Sequence, residues 1–189
     1  MKKLNYKLIA KKVIDSEIAA LKKLKESFGS SFSRAADVIA KCQGKVVLAG
    51  IGKSGLISRK ISATLSSVGT SSFYIHPSEA AHGDLGQIAK KDILLIFSYS
   101  GETSELKNII NYANRFGIFL IGVASKENSL LLNASNIKII LPRVKESGIG
   151  EVVPTSSTTM QLAFGDALAI TLMNKKKFNT SKFKQLHPG

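Results

Sequence analysis

Hydrophobic positions along the chain follow two different periods. Over residues 7–27 apolar side chains recur every three or four positions, which predicts an amphipathic helix, and the same spacing continues over residues 32–40. Further along, short apolar runs rich in β-branched residues are typical of buried strands. These runs lie at residues 45–51, 72–75, 93–98, 119–123 and 137–141.

Helical patterns separate the strand runs, most clearly at residues 54–68 and 104–116. Strands that alternate with helices indicate right-handed βαβ units and a parallel sheet that is covered on both faces. A last helix, apolar on nearly every side, follows the hydroxyl-rich segment 155–159, which we expect to cap it. We therefore predict one α/β domain over residues 1–189. It is a three-layer α/β/α sandwich with a five-stranded parallel sheet, on whose core the N-terminal helices of residues 1–45 pack.

The composition is that of an ordinary globular domain. Apolar residues make up 44% and charged residues 21% of the 189 residues, which excludes a disordered or fibrous protein. Such a chain needs no disulfide or structural metal to fold, and its single cysteine, Cys42, cannot form an internal disulfide. No apolar run reaches the ~18 residues of a membrane span, and lysines interrupt the N-terminus before a signal-peptide core. We therefore expect a cytoplasmic protein.

The net charge of +14 is concentrated at the two ends of the chain. Residues 1–27 contain eight lysines and three acidic residues, and residues 175–189 contain five lysines and no acidic residue. Neither end shows the basic stripe interleaved with aromatic residues that is typical of nucleic-acid binding. We interpret the ends as solvated basic segments, with an anionic partner there as the alternative, and expect no nucleic-acid or membrane partner. We therefore expect the region between these two ends to bind a small ligand.

The first candidate site follows the first strand run, since ligands bind beyond the carboxyl ends of parallel strands. Residues 50–55, Gly-Ile-Gly-Lys-Ser-Gly, match G-x-G-x-x-G, a pattern that lets the backbone approach a ligand closely. A valine stands where a P-loop needs its first glycine, and the second strand run lacks the acid that binds the ribose of NAD. Gly52, Lys53 and Ser54 thus form a candidate ligand loop or, alternatively, a tight turn with a surface lysine.

Two further segments place hydroxyl groups at the starts of predicted helices. The first contains Ser98, Ser100 and Thr103, and the second contains Thr155, Ser156 and Ser157. Hydroxyl groups beside the free N–H groups of a helix start can bind a phosphate, although ordinary serine-rich caps would give the same pattern. Together with Lys53, the two segments indicate a small phosphorylated ligand.

Three histidines are present, and their spacing alone assigns no role. His76 and His82 flank a short loop after the second strand run, which is weak evidence for a metal site. His187 lies third from the C-terminus, where a histidine is usually inert.

Four segments together resemble the sugar isomerase (SIS) domain: residues 50–55, 76–86, 98–103 and 154–158. The segment 76–86, His-Pro-Ser-Glu-Ala-Ala-His-Gly-Asp-Leu-Gly, is similar more narrowly to the arabinose 5-phosphate isomerases, as is Pro-Thr-Ser-Ser-Thr at 154–158. The resemblance extends over residues 46–189 and implies a flavodoxin-like SIS domain. Typical members continue into a pair of CBS regulatory domains, and we expect none within residues 1–189.

The resemblance implies an aldose–ketose isomerase that interconverts D-ribulose 5-phosphate and D-arabinose 5-phosphate through an enediolate. This reaction is the first step toward Kdo for lipopolysaccharide or capsule, and it needs no cofactor and no essential metal. One alternative is another SIS-fold sugar-phosphate isomerase. The other is a non-catalytic SIS protein that senses a sugar phosphate, although a sensor would carry a DNA-binding segment for which residues 1–45 are too few.

The resemblance also implies site residues. Its catalytic residues match Lys53, Glu105, Glu146 and His187, and its substrate contacts match Gly69, Thr70, His76, His82 and residues 108–117. His76 also matches a position that can hold an inhibitory zinc ion. Of the two glutamates we favour Glu146 as the base, because the helix dipole would lower the pKa of Glu105. Lys53 would stabilise the enediolate, and His187 or His82 would assist ring opening.

Two helices present apolar surface that a five-stranded domain cannot cover completely. They are the helix at residues 7–27 and the helix after residues 155–159. We therefore predict self-association, and the resemblance implies a homotetramer. The last helix carries the chain roughly 30 Å from its start, so we expect His187 to complete the active site of a neighbouring subunit.

Overall fold

Five parallel strands form the centre of the structure, a computed structural model that describes residues 4–187. The strands are β1 (Val46–Ala49), β2 (Ser72–Ile75), β3 (Ile93–Phe97), β4 (Phe119–Ala124) and β5 (Ile137–Ile140). Each strand coincides with one of the apolar runs, so the predicted sheet is confirmed. The strand order is β2-β1-β3-β4-β5, and all neighbours are parallel, which is the order of the flavodoxin-like doubly wound sheet.

Helices cover both faces of the sheet, which confirms the predicted α/β/α sandwich. They are α1 (Tyr6–Ser27), α2 (Ser30–Ala40), α3 (Gly52–Ser67), α4 (Pro77–Ala80), α5 (Lys107–Phe116), α6 (Leu130–Ala134), α7 (Ser156–Lys175) and α8 (Thr180–Leu186). Short 3-10 turns lie in the loops at Asp84–Gln87, Ser104–Leu106 and Ile149–Glu151. The predicted helix at 104–116 thus begins with a separate 3-10 turn, which contains Glu105. None of the helices within residues 4–187 is long and apolar enough to cross a membrane.

The core consists of two apolar layers, because the side chains of a strand alternate between the two faces of a sheet. Val46 and Leu48 of β1 pack in the layer that contains α1, α2, α3 and α7. Val47 and Ala49 pack in the opposite layer, with α4, α5 and α6. The helix α7 packs against α1, α2 and α3. These contacts on several sides explain why α7 is apolar over most of its surface.

The strand order places a crevice between β1 and β3. These strands are neighbours in the sheet but not in the chain, and the helices that follow them, α3 and α5, cover opposite faces. The space outside the carboxyl ends of two such strands is the usual ligand position in an open α/β sheet. The loop from β5 to α7, residues 141–155, closes one side of this crevice.

Candidate active site

A cavity of about 330 Å³ opens at the carboxyl ends of β1 and β3. Its walls combine side chains from three segments that are distant in sequence. They are Lys53 and Ser54 after β1, Ser98, Ser100 and Thr103 after β3, and, after β5, Glu146 on the loop and Ser157 in the first turn of α7. The structure therefore brings together a lysine, a carboxylate and several hydroxyl groups that were singled out in the sequence.

The turn after β1 places Lys53 in the first turn of α3. A Cβ at Gly55 would lie 2.7 Å from the Gly50 carbonyl oxygen and 2.8 Å from the Tyr74 hydroxyl, so only glycine lets the helix start this near the strand. The first turn of α3 contains no acidic residue, and the N-cap residue Ile51 makes no side-chain hydrogen bond to it. The free backbone N–H groups and Lys53 together give this wall a positive potential.

The segment after β3 forms a turn in which hydroxyl groups converge. Ser98 Oγ lies 3.0 Å from Thr103 Oγ1 and accepts a hydrogen bond from the Gly101 N–H at 3.1 Å. Ser100 Oγ accepts a hydrogen bond from the Glu102 N–H at 3.2 Å. Gly101 has a φ of +71°, a conformation that favours glycine. Hydroxyl groups at the start of a helical turn suit the oxygens of a phosphate group.

Glu146 lies on the loop between β5 and α7 and caps the N-terminus of α7. Its Oε2 accepts hydrogen bonds from the backbone N–H groups of Thr155 at 2.8 Å and Ser157 at 3.2 Å, and from the Thr155 hydroxyl at 3.3 Å. Among the described residues, Oε1 has no hydrogen-bond partner. Because α7 is 20 residues long, the positive end of its dipole favours a carboxylate at this position.

The prediction that Thr155, Ser156 and Ser157 cap α7 is wrong. Thr155 is the N-cap residue, but its side chain makes no capping hydrogen bond to its own helix, and Glu146 accepts the hydrogen bond from the Ser157 N–H that a hydroxyl cap would bind. Ser156 is completely buried, and its hydroxyl has no partner within residues 4–187. Ser157 lies on the wall of the cavity, whereas Thr155 and Ser156 lie behind it.

Glu105 lies outside this cavity. Its side chain is exposed in the turn Ser104–Leu106, where Oε2 accepts a hydrogen bond from the Ser104 hydroxyl at 2.9 Å. The Glu105 backbone N–H and the Ser104 hydroxyl hold the pKa of this carboxyl below its ordinary value. The sequence also predicted a lowered pKa for Glu105, but it attributed the lowering to the helix dipole rather than to these local hydrogen bonds.

A second cavity of about 510 Å³ adjoins the first through Lys53. Gly52, Arg59, Tyr74 and His76 also line it. The Tyr74 hydroxyl donates a hydrogen bond to the carbonyl of Gly50 at 2.9 Å, and the Arg59 guanidinium lies 5.0 Å from the centre of the Tyr74 ring. Arg59 and Tyr74 are not among the residues predicted from the sequence. Of the two, only Tyr74 could have been predicted as a site residue, because it lies near the carboxyl end of β2.

His76 and His82 have separate surroundings. The His76 ring caps α4, since its Nδ1 accepts a hydrogen bond from the Ser78 N–H at 3.3 Å. His82 is exposed in the turn after α4 and lines neither cavity. In the described part of one subunit, no three His, Cys, Asp or Glu side chains come together as a metal site. His76 therefore lacks the companion ligands that a structural zinc site requires.

Gly69, Thr70 and His187 do not line either of these two cavities. Gly69 and Thr70 precede β2, and Lys176, just after α7, donates a hydrogen bond to the Thr70 hydroxyl at 3.0 Å. His187 follows α8, where its Nδ1 lies 2.9 Å from the Phe183 carbonyl oxygen. Gly69 and Thr70 lie at the amino end of β2, whereas both cavities lie at the carboxyl ends of the strands. The predicted contact segment 108–117 belongs mainly to α5 and borders another cavity of about 410 Å³.

Comparison with known proteins places this site in a family. A family model for the SIS domain matches residues 39–171. A probable arabinose 5-phosphate isomerase of Haemophilus influenzae is 39% identical over 188 residues, which is 100% of this chain and 56% of that protein. Arabinose 5-phosphate isomerase KpsF of Escherichia coli is 41% identical over 180 residues, which is 95% of this chain and 55% of that protein. The chain thus spans little more than half the length of these relatives.

A solved structure shows the same fold in detail. An Escherichia coli CFT073 protein in complex with arabinose 5-phosphate superposes with a TM-score of 0.94 at 37% identity, over 98% of this chain and 100% of that chain. The match of the family model over most of the chain and the identity to the relatives agree with this superposition. The chain belongs to the SIS domain family.

Proposed function

We propose that the chain is the isomerase part of an arabinose 5-phosphate isomerase and interconverts D-ribulose 5-phosphate and D-arabinose 5-phosphate. The observation that carries the proposal is a single cavity lined by a hydroxyl cluster, by Lys53 and by Glu146. The relatives named for this activity support it, as does the arabinose 5-phosphate complex of a protein that is 37% identical.

In this proposal the phosphate group binds at the segment after β3. The hydroxyl groups of Ser98, Ser100 and Thr103 supply the donors. The N-terminus of α3 adds positive potential. The N-terminus of α7 contributes less, because Glu146 already accepts hydrogen bonds from its N–H groups. A pentose phosphate suits a cavity of about 330 Å³, which is at the small end of ligand sites.

The reaction moves a carbon-bound proton between C1 and C2 and a hydroxyl proton between the oxygens on these carbons, which leaves the molecular formula unchanged, so it requires no external oxidant or reductant. Glu146 removes the proton from one carbon and returns it to the other. Lys53 stabilises the negative charge that develops on the oxygens of the enediolate. Opening of the sugar ring suits an imidazole, for which His82 and His187 stay the candidates.

The placement of the two glutamates supports Glu146 as the base. Glu146 lies on the cavity wall near Lys53, and its Oε1 is not engaged by another described residue. Glu105 is exposed outside the cavity, and its lowered pKa makes it a weaker base. The main reason to assign the base to Glu146 is its position on the cavity wall, and the lowered pKa of Glu105 is the second reason.

A coupled assay of the purified chain tests the proposal. D-Arabinose 5-phosphate and D-ribulose 5-phosphate should interconvert, whereas hexose 6-phosphates should not react. The Glu146→Gln variant, purified in parallel, should show no turnover and so excludes a contaminating isomerase. Turnover of a hexose phosphate alone would assign another SIS-fold isomerase. Binding of a sugar phosphate without turnover of any substrate would assign a sensor.

We also propose that the protein is a cytoplasmic homotetramer whose product enters the synthesis of Kdo for lipopolysaccharide or capsule. Exposed apolar side chains on α1 support self-association. Sedimentation equilibrium should give four times the chain mass of 20.3 kDa. A monomeric or dimeric mass would contradict the tetramer.

A further inference from the structure

The loop that carries Glu146 has little regular structure of its own. Over residues 141–155 it contains one 3-10 turn, Ile149–Glu151. A side chain on such a loop is poorly fixed unless other groups hold it. The proton transfer proposed above nevertheless requires a carboxylate at a defined position.

The Thr155 hydroxyl restrains this loop at two points. It accepts a hydrogen bond from the Ser147 backbone N–H at 2.9 Å, and it donates one to Glu146 Oε2 at 3.3 Å. A hydroxyl has one proton to donate, so its donor role is fully assigned by this arrangement. A single side chain thereby fixes the carboxylate of Glu146 and the backbone that follows it.

This use of the hydroxyl differs from what the position of Thr155 in the fold predicts. A threonine at the N-cap normally accepts a hydrogen bond from an N–H in the first turn of its own helix. Thr155 makes no such bond, and its backbone angles, φ −131° and ψ −73°, lie outside the extended region usual for an N-cap. Glu146 caps α7 instead. The hydroxyl therefore serves the loop rather than the helix.

We propose that Thr155 is a positioning residue for Glu146. It holds Oε2 at the N-terminus of α7 and so leaves Oε1 for the proton of the substrate. This inference rests on the proposed function, in which Glu146 is the base. A displacement of about 1 Å can cost on the order of 100-fold in rate, so loss of the hydroxyl lowers kcat about 10- to 100-fold. KM changes little, because the phosphate binds on the segment after β3.

Kinetics of paired variants test the inference. Thr155→Val keeps the shape and removes the hydroxyl, and it should lower kcat at least about 10-fold with KM within about threefold of wild type. Thr155→Ser restores the hydroxyl and should recover most of the lost kcat. Thr171→Val is the matched control, since that hydroxyl bonds only within α7, to the carbonyl of Ala167, and kcat should not change. Wild-type kcat in Thr155→Val, or a loss confined to KM, overturns the proposal.

Amide hydrogen exchange separates this inference from the proposed function. The Ser147 amide should exchange faster in Thr155→Val than in Thr155→Ser or wild type, whichever sugar phosphate the chain accepts. Unchanged exchange at Ser147 overturns the positioning role even in an active isomerase. Faster exchange in a chain that does not convert pentose phosphates overturns the proposed reaction and supports the restraint on Glu146. Thr155→Ala, which removes the same hydroxyl, replaces the valine variant if that variant does not fold.

Discussion

Lys53 is the side chain that joins the two cavities, since it lines both of them from the first turn of α3. Lys53→Met keeps most of the length of the side chain and removes its charge. We expect kcat to fall about 10²- to 10³-fold, as for the loss of one donor that stabilises an oxyanion. Lys60→Met, on the same helix but paired with Asp166 at the surface, should keep wild-type kcat in the same assay. An equal loss in both variants would contradict the role of Lys53.

Glu146 and Glu105 can be distinguished by proton exchange. Glu146→Gln should stop the exchange of the C2 proton with solvent deuterium, whereas Glu105→Gln should leave it intact, because only Glu146 of the two lines the cavity. Glutamine still accepts hydrogen bonds from the α7 N-terminus, so the cap is largely kept. Mass spectrometry of the sugar phosphate measures the deuterium. Exchange that survives in Glu146→Gln and disappears in Glu105→Gln would assign the base to Glu105.

At the residue level, the sequence predicts which side chains are near one another better than it predicts what each one bonds to. Ser98, Ser100 and Thr103 directly follow a strand run, and the carboxyl ends of parallel strands meet at one edge. The cap formed by Glu146 joins residues up to eleven positions apart across an irregular loop. No periodicity specifies the path of such a loop. Tyr99 also lines the cavity but was not predicted as a site residue, because an aromatic residue at the end of a strand is more often part of the core.

At the level of elements, Tyr99 connects the segment after β3 to the loop after β5. Its hydroxyl accepts a hydrogen bond from the Val144 N–H at 2.8 Å and donates one to the Pro142 carbonyl at 3.2 Å. Burial, and to a smaller extent the charge of Glu146, raises the pKa of the Tyr99 hydroxyl. The hydroxyl is therefore protonated at neutral pH and can make both bonds.

Tyr99→Phe keeps the ring and removes both of these hydrogen bonds. We expect the free energy of unfolding to fall by about 1–2 kcal/mol, because a partly buried N–H and a partly buried carbonyl lose their partner. We also expect kcat to fall, since the loop that carries Glu146 loses an anchor. Urea unfolding and the isomerase assay measure the two effects, and Tyr6→Phe, on the exposed start of α1, is the control. Unchanged stability and kcat would show that the link is dispensable.

Because the pKa of Tyr99 is raised, the difference in stability between wild type and Tyr99→Phe should depend on pH. The folded state keeps the hydroxyl neutral, whereas the unfolded chain ionises near the ordinary tyrosine value of about 10. The stability that wild type gains over Tyr99→Phe should therefore be complete below pH ~10 and decrease as the pH rises through the higher pKa of the folded state. A difference that grows with pH above this value would contradict the direction of the shift.

The strands could be predicted from the sequence more reliably than the short helices. The strands β1, β3 and β4 are buried on both faces over almost their whole length, so each forms a continuous apolar run between turn residues, whereas the edge strand β5 alternates buried and exposed residues. The helices α4, α6 and α8 contain 4, 5 and 7 residues, too few to show a helical period. Local caps fix them, because the side chains of His76, Ser129 and Asn179 each accept a hydrogen bond from a backbone N–H.

For the whole molecule, the amino end of α1 is largely exposed. Residues 4–12 are all exposed, including the apolar Leu4, Tyr6, Leu8 and Ile9. A short helical end without packing is marginally stable in water. We propose that its apolar side chains contact another subunit in the self-association predicted from the sequence.

The position of His187 bears on whether the active site is formed by one subunit or by two. His187 lies beyond α8, its ring stacked on Phe183 at 3.9 Å, and the chain reaches α8 from the end of α7 that is remote from the cavity. The 20 residues of α7 separate its two ends by about 30 Å. If His187 takes part in the reaction, it therefore acts in the site of another subunit.

Mixed oligomers test this prediction. Lys53→Met and His187→Ala are each expected to be inactive, and they should be mixed in equal amounts, dissociated and reassembled. A site that takes Lys53 from one chain and His187 from another is intact in about one quarter of random pairings, so about one quarter of wild-type kcat should return. The control mixture, Lys53→Met with Glu146→Gln, should return none, because both side chains line the same cavity of one subunit. No recovery in verified mixed oligomers of the first pair would place His187 in its own subunit's site or outside catalysis.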